Sequence, residues 1–87
     1  MHESSLMQGL MRQILAEAES HHAKRVESVG VVLGALSNIT AAHFSEHFIE
    51  AARGTIAEDA ALKIANAEDI TDPHAQDIMI TSVEVSR

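Results

Sequence analysis

The feature that most limits the fold of this chain is a length of 87 residues combined with the complete absence of cysteine. A domain of this size buries only about 60% of the surface that its unfolded chain exposes, so its stability is modest. Without cysteine, neither a disulfide nor a thiolate-bound metal can stabilise it. Phe44 and Phe48 are its only Phe, Tyr or Trp residues. We therefore expect residues 1–87 to form one domain with a mainly aliphatic core.

The charge balance is acidic and argues against some classes of partner. Six lysine and arginine residues stand against thirteen aspartate and glutamate residues, for a formal net charge of −7. Such a surface repels nucleic-acid phosphates and anionic lipids. No apolar run approaches the ~20 residues of a membrane span, and residues 1–20 carry charges unlike those of a signal peptide. We expect a soluble cytoplasmic protein that binds neither nucleic acid nor membrane.

Two segments have the apolar periodicity of helices. In the first, Ser5 followed three residues later by Gln8 fits a capping box, so this helix is predicted to start near Leu6 and leave residues 1–4 as a short arm. In the second, Thr40 is the predicted N-cap and Gly54 the predicted stop. The apolar side chains of the first helix recur at helical spacing, and they are Met7, Leu10, Met11, Ile14, Leu15 and Ala18.

Three other segments have the composition of strands, namely residues 25–36, 60–67 and 77–85. In the first of them, Val29, Val31 and Leu33 alternate along one face. The order helix, strand, helix, strand, strand predicts an α+β fold with two helices packed on one three-stranded sheet. The first strand, the second helix and the second strand are expected to form a right-handed crossover.

Six histidines raise the question of metal binding, and HFSEH, which begins at His43, is the most suggestive segment. On a helix, His43 and His47 lie one turn apart and could reach one ion, with Glu46 beside them as a base, as in H-x-x-E-H metalloproteases. No third ligand stands out, and Glu50 and Arg53 share this side of the helix. We interpret it as a solvated polar surface where a divalent ion binds at most adventitiously. No nucleophile motif or phosphate-binding loop occurs elsewhere, so no enzyme is expected.

The first residues, MHES, offer a different kind of metal site. A histidine at position 2 can supply its imidazole and its own deprotonated amide, and the Met1 amine completes three nitrogen ligands in one plane. Glu3 or a solvent molecule could be the fourth ligand. Planar nitrogen-rich coordination suits Ni(II) or Cu(II) better than tetrahedral Zn(II). Because chain ends fray, local chemistry alone leaves open whether this amino-terminal claw of Met1, His2 and Glu3 forms.

Three segments of the chain carry a family resemblance, and they occur in the family's order. They are MHESSLMQGLMRQI, VESVGVVLGALSNITAAHFSEHFIEAARGTIAEDAALKI and IMITSVEV. The most specific pieces are the initial Met-His-Glu, the stretch at 34–37 and the stretch at 53–58, with the sequences GALS and RGTIAE. Each piece is weak alone, but together they resemble the HypA/HybF family, the nickel-incorporation proteins of [NiFe]-hydrogenase maturation.

The resemblance implies a nickel metallochaperone. In that family the terminal amine and the amide and imidazole of the second residue bind Ni(II), which assigns these roles here to Met1 and His2, with Glu3 near the site. The implied partners are a hydrogenase large-subunit precursor and a nickel-handling GTPase. The family's fold, two helices on a three-stranded mixed sheet, agrees with the predicted elements. His43 and His47 match no ligand of the family.

One departure from the family is large. Its members insert a zinc-binding module with paired C-x-x-C motifs between the second and last strands, where this chain has only a short linker, 66–77, without cysteine. No structural zinc is therefore expected. The linker lacks the Gly/Ser composition of an engineered junction, which favours a natural zinc-less relative over an internal deletion. The loss also leaves an alternative function, a scaffold module of a maturation complex that delivers no metal, but the retained Met-His-Glu start favours nickel delivery.

Overall fold

The computed structural model describes the backbone of residues 3–87 and the side chains of residues 5–87. Its sheet has the order β2-β1-β3, in which β1 runs parallel to β2 and antiparallel to β3. The predicted α+β fold with two helices on a three-stranded mixed sheet is thus confirmed. Within residues 3–87, neither helix is long and apolar enough to cross a membrane. The elements are α1 (Glu3–Ser20), β1 (Arg25–Leu33), α2 (Ala41–Ala52), β2 (Ala61–Asn66) and β3 (Ile78–Ser86).

Helix α1 begins earlier than its sequence pattern predicts. It starts at Glu3, so the prediction of a start near Leu6 behind an N-cap at Ser5 is wrong, and Ser5 lies inside the helix. Polar and acidic residues are favourable in a first helical turn, so little opposes the added turn. The apolar stripe is confirmed, because five of its members are buried and Leu15 is partly buried. The buried members are Met7, Leu10, Met11, Ile14 and Ala18.

Helix α2 has both of its predicted ends. The Thr40 hydroxyl accepts a hydrogen bond of 3.1 Å from the backbone N–H of His43, as an N-cap does. At the other end Gly54 has φ of +82°, the left-handed conformation that glycine adopts most readily after a helix. Phe44 and Phe48 are buried, with ring centroids 6.4 Å apart. This helix therefore has a fixed start, a fixed end and one fully packed side.

Strand β1 forms the centre of the sheet and faces the helices with the predicted residues. Val29, Val31 and Leu33 are all buried in one cluster with both helices. Regular alternation would place Val26 on the other face of the sheet from Val29. A bulge between Val26 and Ser28 turns its side chain towards the helices, so Val26 joins the same cluster. The strand ends at Leu33, three residues before the predicted end. Strands β2 and β3 lie within one residue of their predicted bounds.

The opposite face of the sheet, which we call the open face, carries Ser28, Gly30 and Val32 of β1. It is held by a polar cluster that joins all three strands. The Ser28 hydroxyl donates a hydrogen bond to the Glu84 carboxylate of β3, and the Lys63 ammonium of β2 lies 3.2 Å from the same oxygen. The hydrogen bond from Ser28, and then the bond and charge of Lys63, lower the pKa of Glu84.

Candidate metal centre

The predicted nickel ligands lie at the edge of the described structure. Met1 and His2 fall outside the described residues, and for Glu3 only the backbone is described, as the first residue of α1. The assignment of Met1, His2 and Glu3 as ligands therefore stays a prediction. What the structure does describe is the surface beside the first turns of α1.

A groove runs between α1 and α2 next to those turns. Its volume is about 410 Å³, and Met7 and Met11 of α1 are almost fully buried along it. Met7 lies one helical turn after Glu3, so the groove begins within a turn of the point where α1 starts. The remaining lining residues are Gln8, Arg12 and Leu15 of α1 and His47, Glu50 and Ala51 of α2.

The two histidines of α2 occupy different environments, although the sequence predicts a solvated surface for both. His43 is exposed, as predicted, whereas His47 is partly buried and lines the groove. Their imidazole rings contact each other, with centroids 4.7 Å apart and planes inclined by 33°. Glu46 and Glu50 on the same helix are exposed. The sequence spacing indicated the adjacency of the two rings, but it did not indicate that one of them faces the groove.

Two other histidines pair with carboxylates on the surface. His21, at the end of α1, lies 3.0 Å from the Glu17 carboxylate, and His74 lies 2.9 Å from the Asp77 carboxylate. In each pair the partner is three or four residues away, so these contacts are local. Among the residues that the structure describes, no three histidine or acidic side chains come together as a metal site.

The connection between β2 and β3 covers residues 67–77 and is one residue shorter than the predicted linker 66–77. It packs back against the chain after β1, because the Gly34 amide donates to the Asp77 carbonyl at 2.9 Å and the Leu36 amide to the Ala75 carbonyl at 2.6 Å. Ala75 is buried. A Cβ at position 34 would collide with the Ala75 carbonyl, which explains the first glycine of GALS. The backbone of this stretch therefore anchors the connection 67–77.

The same connection contains local turns stabilised by acidic side chains. The Asp69 carboxylate accepts hydrogen bonds from the Thr71 hydroxyl and amide, at 2.6 and 2.9 Å. These bonds lower the pKa of Asp69. The Asp72 carboxylate accepts from the amide of His74 at 2.7 Å. Turns of this type are stabilised by short Asp side chains without any metal.

Comparison with known proteins assigns the family. Residues 1–72 match the family described as hydrogenase/urease nickel incorporation, metallochaperone, hypA. The chain is 42% identical over 65 residues to the hydrogenase maturation factor HypA of Archaeoglobus fulgidus, covering 75% of this chain and 59% of that protein. It is 39% identical over 70 residues to the factor of the same name from Caldanaerobacter subterraneus, covering 78% and 61%. The chain thus spans about 60% of the length of these relatives.

The fold agrees with that family. The solution structure of the Ni metallochaperone HypA from Helicobacter pylori superimposes with a TM-score of 0.80 at 18% identity, over 99% of this chain and 98% of that one. At this identity the likeness concerns the fold alone. The match of residues 1–72 and the two relatives carry the assignment: the chain belongs to the HypA family of nickel-incorporation metallochaperones.

Proposed function

We propose that this protein binds Ni(II) through its amino terminus and delivers it to the precursor of a nickel enzyme in the cytoplasm. The match of residues 1–72 supports this, because the family is described by nickel incorporation and the matched segment includes the Met-His-Glu start. The ligands are the Met1 amine and the amide and imidazole of His2, with Glu3 beside them. The client is a [NiFe]-hydrogenase large-subunit precursor, and the family description also admits urease.

The start of α1 at Glu3 is compatible with this ligand set. The first N–H groups of a helix have no acceptor carbonyl four residues earlier. A helix that begins at Glu3 therefore does not need the N–H of His2 as a hydrogen-bond donor. The positive end of the helix dipole opposes a nearby cation by about 0.3–1 kcal/mol. The Glu3 carboxylate offsets that cost by its charge. Deprotonating the His2 amide is then the main chemical requirement, and planar coordination by Ni(II) favours it.

The remaining parts of the proposal concern partners and zinc. A nickel-handling GTPase is the proposed delivery partner, and the protein itself has no catalytic role. Residues 1–87 act as one nickel-binding domain in which the connection 67–77 stands in place of the zinc module, with no structural zinc. The family description favours nickel delivery over a scaffold that carries no metal.

The decisive experiment extends the chain in front of Met1 and leaves every existing side chain unchanged. A Gly-Ser extension converts the Met1 amine into an amide and removes it from the ligand set. Calorimetry with NiCl2 on the authentic and the extended proteins should show that the tightest binding step disappears on extension. His2→Ala should weaken the same binding step more strongly than the loss of a residue that only hydrogen-bonds to a metal ligand, which typically costs about 10–100-fold in affinity.

Matched controls separate this site from the other histidines. His43→Ala and His47→Ala should leave the tightest step in place. The authentic protein should bind Cu(II) above Ni(II) and Ni(II) above Co(II), as nitrogen ligands do. Its nickel affinity should fall steeply as the pH is lowered from about 8 to about 6. Over this range protons compete with the metal for an imidazole (pKa about 6.5) and an amine (pKa about 7.7–8.0). An extended protein that binds Ni(II) as tightly as the authentic one would refute the amino-terminal site.

A further inference from the structure

The end of the molecule at which β1 and β2 finish carries a concentration of exposed apolar side chains. Four large apolar side chains of the described structure are at least 43% exposed, and three of them, Leu36, Ile70 and Met79, belong to this end. Leu36 lies just after β1 and Ile70 in the connection 67–77. Met79, the second residue of β3, pairs with Val32 of β1. A single exposed apolar residue is ordinary, whereas several at one end of a small domain are typical of a contact surface.

The backbone that carries these side chains is fixed by the sheet. The Ala67 amide donates a hydrogen bond of 2.9 Å to the Leu33 carbonyl, which ties the start of the connection to the end of β1. The amides of residues 34 and 36 tie its second half to the same place. Ile70 itself lies inside a turn that is closed by a 3.2 Å bond from the Asp72 amide to the Asp69 carbonyl. A side chain presented on a fixed turn loses less entropy on binding than one on a flexible loop.

The same end of the molecule carries carboxylates without any lysine or arginine. Residues 64–83 contain four acidic residues and no lysine or arginine, and residues 34–40 contain no charged residue. All four acidic side chains are exposed, and they are Glu68, Asp69, Asp72 and Asp77. Charge of one sign concentrated on one end gives that end a negative potential, which attracts a positively charged partner.

The opposite end of the molecule has a different charge balance. Four of the six lysine and arginine residues lie where β1 and β2 begin or where α2 and β3 finish, and they are Lys24, Arg25, Arg53 and Arg87. There the Arg25 guanidinium lies 3.8 Å from the Asp59 carboxylate, so acidic charge is balanced locally. The negative potential is therefore a property of one end and not of the whole surface.

Helix α1 also begins at the acidic end. It finishes at Ser20, and β1 begins at Arg25 after a turn of only four residues, so the strand runs in the opposite direction to the helix. Gln13 and Glu17 line one cavity with residues 80–83 of β3, which places the helix alongside the strands. The start of α1 and the end of β1 consequently lie at the same end of the molecule. A partner that docks there is close to the first turn of α1.

We propose that Leu36, Met79 and the connection 67–77 form a docking surface for a basic segment of a partner protein, one that carries both apolar and lysine or arginine side chains. We call it the connection surface. The exposed apolar side chains contact those of the segment, and the carboxylates attract its positive charges. Docking is independent of the proposed function. The role of the docked partner in nickel delivery rests on that function.

The test uses a short amphipathic peptide of leucine and lysine as the probe, labelled with a fluorophore and followed by anisotropy in the absence of metal. This peptide should bind, and raising the salt concentration should weaken the binding. Two peptides of the same length serve as controls. A leucine–glutamate peptide lacks the attracted charge, and a serine–lysine peptide lacks the apolar contacts. Each should bind at least about tenfold more weakly than the leucine–lysine peptide.

Matched variants locate the binding on the protein. Ile70 and Ile49 are 64% and 61% exposed, so serine at either position removes a similar apolar surface. Ile70→Ser should weaken peptide binding at least about fivefold, and Ile49→Ser should change it less than about twofold. Glu68→Lys and Glu19→Lys alter the net charge equally. Only Glu68→Lys, at the connection surface, should weaken binding at least about tenfold.

Amide chemical shifts give a second readout, and circular dichroism confirms that each variant is folded. Adding the leucine–lysine peptide should shift the signals of Leu36, Met79 and residues 67–77 before those of residues 13–17 in α1. If other residues shift first, or if the matched variants weaken binding equally, the peptide is held by net charge alone and the connection surface is refuted. If sedimentation shows a self-association that Ile70→Ser abolishes, the occupant is a second copy of this chain and the proposed partner is refuted.

The nickel proposal and the docking proposal fail in different ways. The authentic and the Gly-Ser-extended proteins should bind the peptide equally, although only the authentic one has the tightest nickel step. Loss of peptide binding on extension would place the binding at the amino terminus and refute the connection surface. Absence of a tight nickel step in the authentic protein would refute the proposed function and leave docking in place.

Discussion

On the face of the sheet that the helices cover, Val29 and Leu33 lie in one buried cluster with Phe44 and Phe48. On the open face, β1 carries Ser28, Gly30 and Val32, and the strands are linked by hydrogen bonds of Ser28 and Lys63 to Glu84. The first face gains stability from apolar area removed from water, and the second from hydrogen bonds that compete with water. Substitutions of equal size should therefore have very different effects on the two faces.

The largest effect is expected from truncating the covered face at Phe48. Phe48→Ala should destabilise the protein by about 3–5 kcal/mol, because the side chain is fully buried and leaves a cavity. The neighbouring Ile49 is 61% exposed, so Ile49→Ala should stay within about 0.5 kcal/mol. Urea unfolding followed by circular dichroism measures both changes. Similar losses for the two variants would contradict the idea that burial against the covered face sets the size of the loss.

A smaller effect is expected where β1 leaves the sheet. Gly34→Ala should cost about 1–3 kcal/mol, since the new methyl meets the backbone of Ala75 and lies 2.7 Å from the Asp77 carbonyl oxygen, neither of which can rotate away.

Gly30 on the open face is the matched control. A methyl there would lie 2.7 Å from the Thr81 hydroxyl and 2.5 Å from that of Ser82, and such groups can turn aside. Gly30→Ala should therefore cost less than Gly34→Ala in the same unfolding assay. The reverse order would mean that the surroundings of position 30 are packed more tightly than those of position 34.

The polar cluster of the open face should give stability a pH dependence. The pKa of Glu84 is lowered from its ordinary value of 4.5 in the folded protein, so the unfolded state binds its proton more readily. Its contribution is therefore present above that ordinary value and is lost as the pH falls through the lower folded value.

Glu84→Gln removes this contribution and isolates it. The stability difference between the original protein and Glu84→Gln, measured by thermal unfolding, should shrink as the medium is acidified below the ordinary pKa. Glu19→Gln, on the exposed side of α1, controls for the lost charge. A difference that grows on acidification would reverse the inferred sign.

The smallest effect is expected from removing metal. Both faces are built without cysteine, and the described side chains assemble no group of three histidine or acidic ligands. Incubation with EDTA should leave helical circular dichroism and the melting temperature unchanged, in contrast to domains whose folding depends on structural zinc. Loss of helical signal in EDTA would show that a metal stabilises the fold after all.

The sequence alone predicted those parts of the protein that depend on near neighbours. The apolar stripe of α1, the Thr40 cap and the Gly54 stop of α2 follow from residues within one or two helical turns. The same holds for the alternation in β1. The proposed nickel ligands are also local, because three consecutive residues would supply them. The family resemblance rests on segments of this kind.

Tertiary structure decided what depends on distant partners. A bulge between Val26 and Ser28, fixed by pairing with β3, turns the Val26 side chain into the core. A second bulge, in β3 opposite Gly30, allows apolar side chains from both halves of β3 to face the helices. The packing of Gly34 on Ala75 joins segments about forty residues apart, and the groove beside His47 exists only where α1 meets α2. Periodicity within a segment cannot specify such features, because a strand's register and a groove's walls are set by the element across from them.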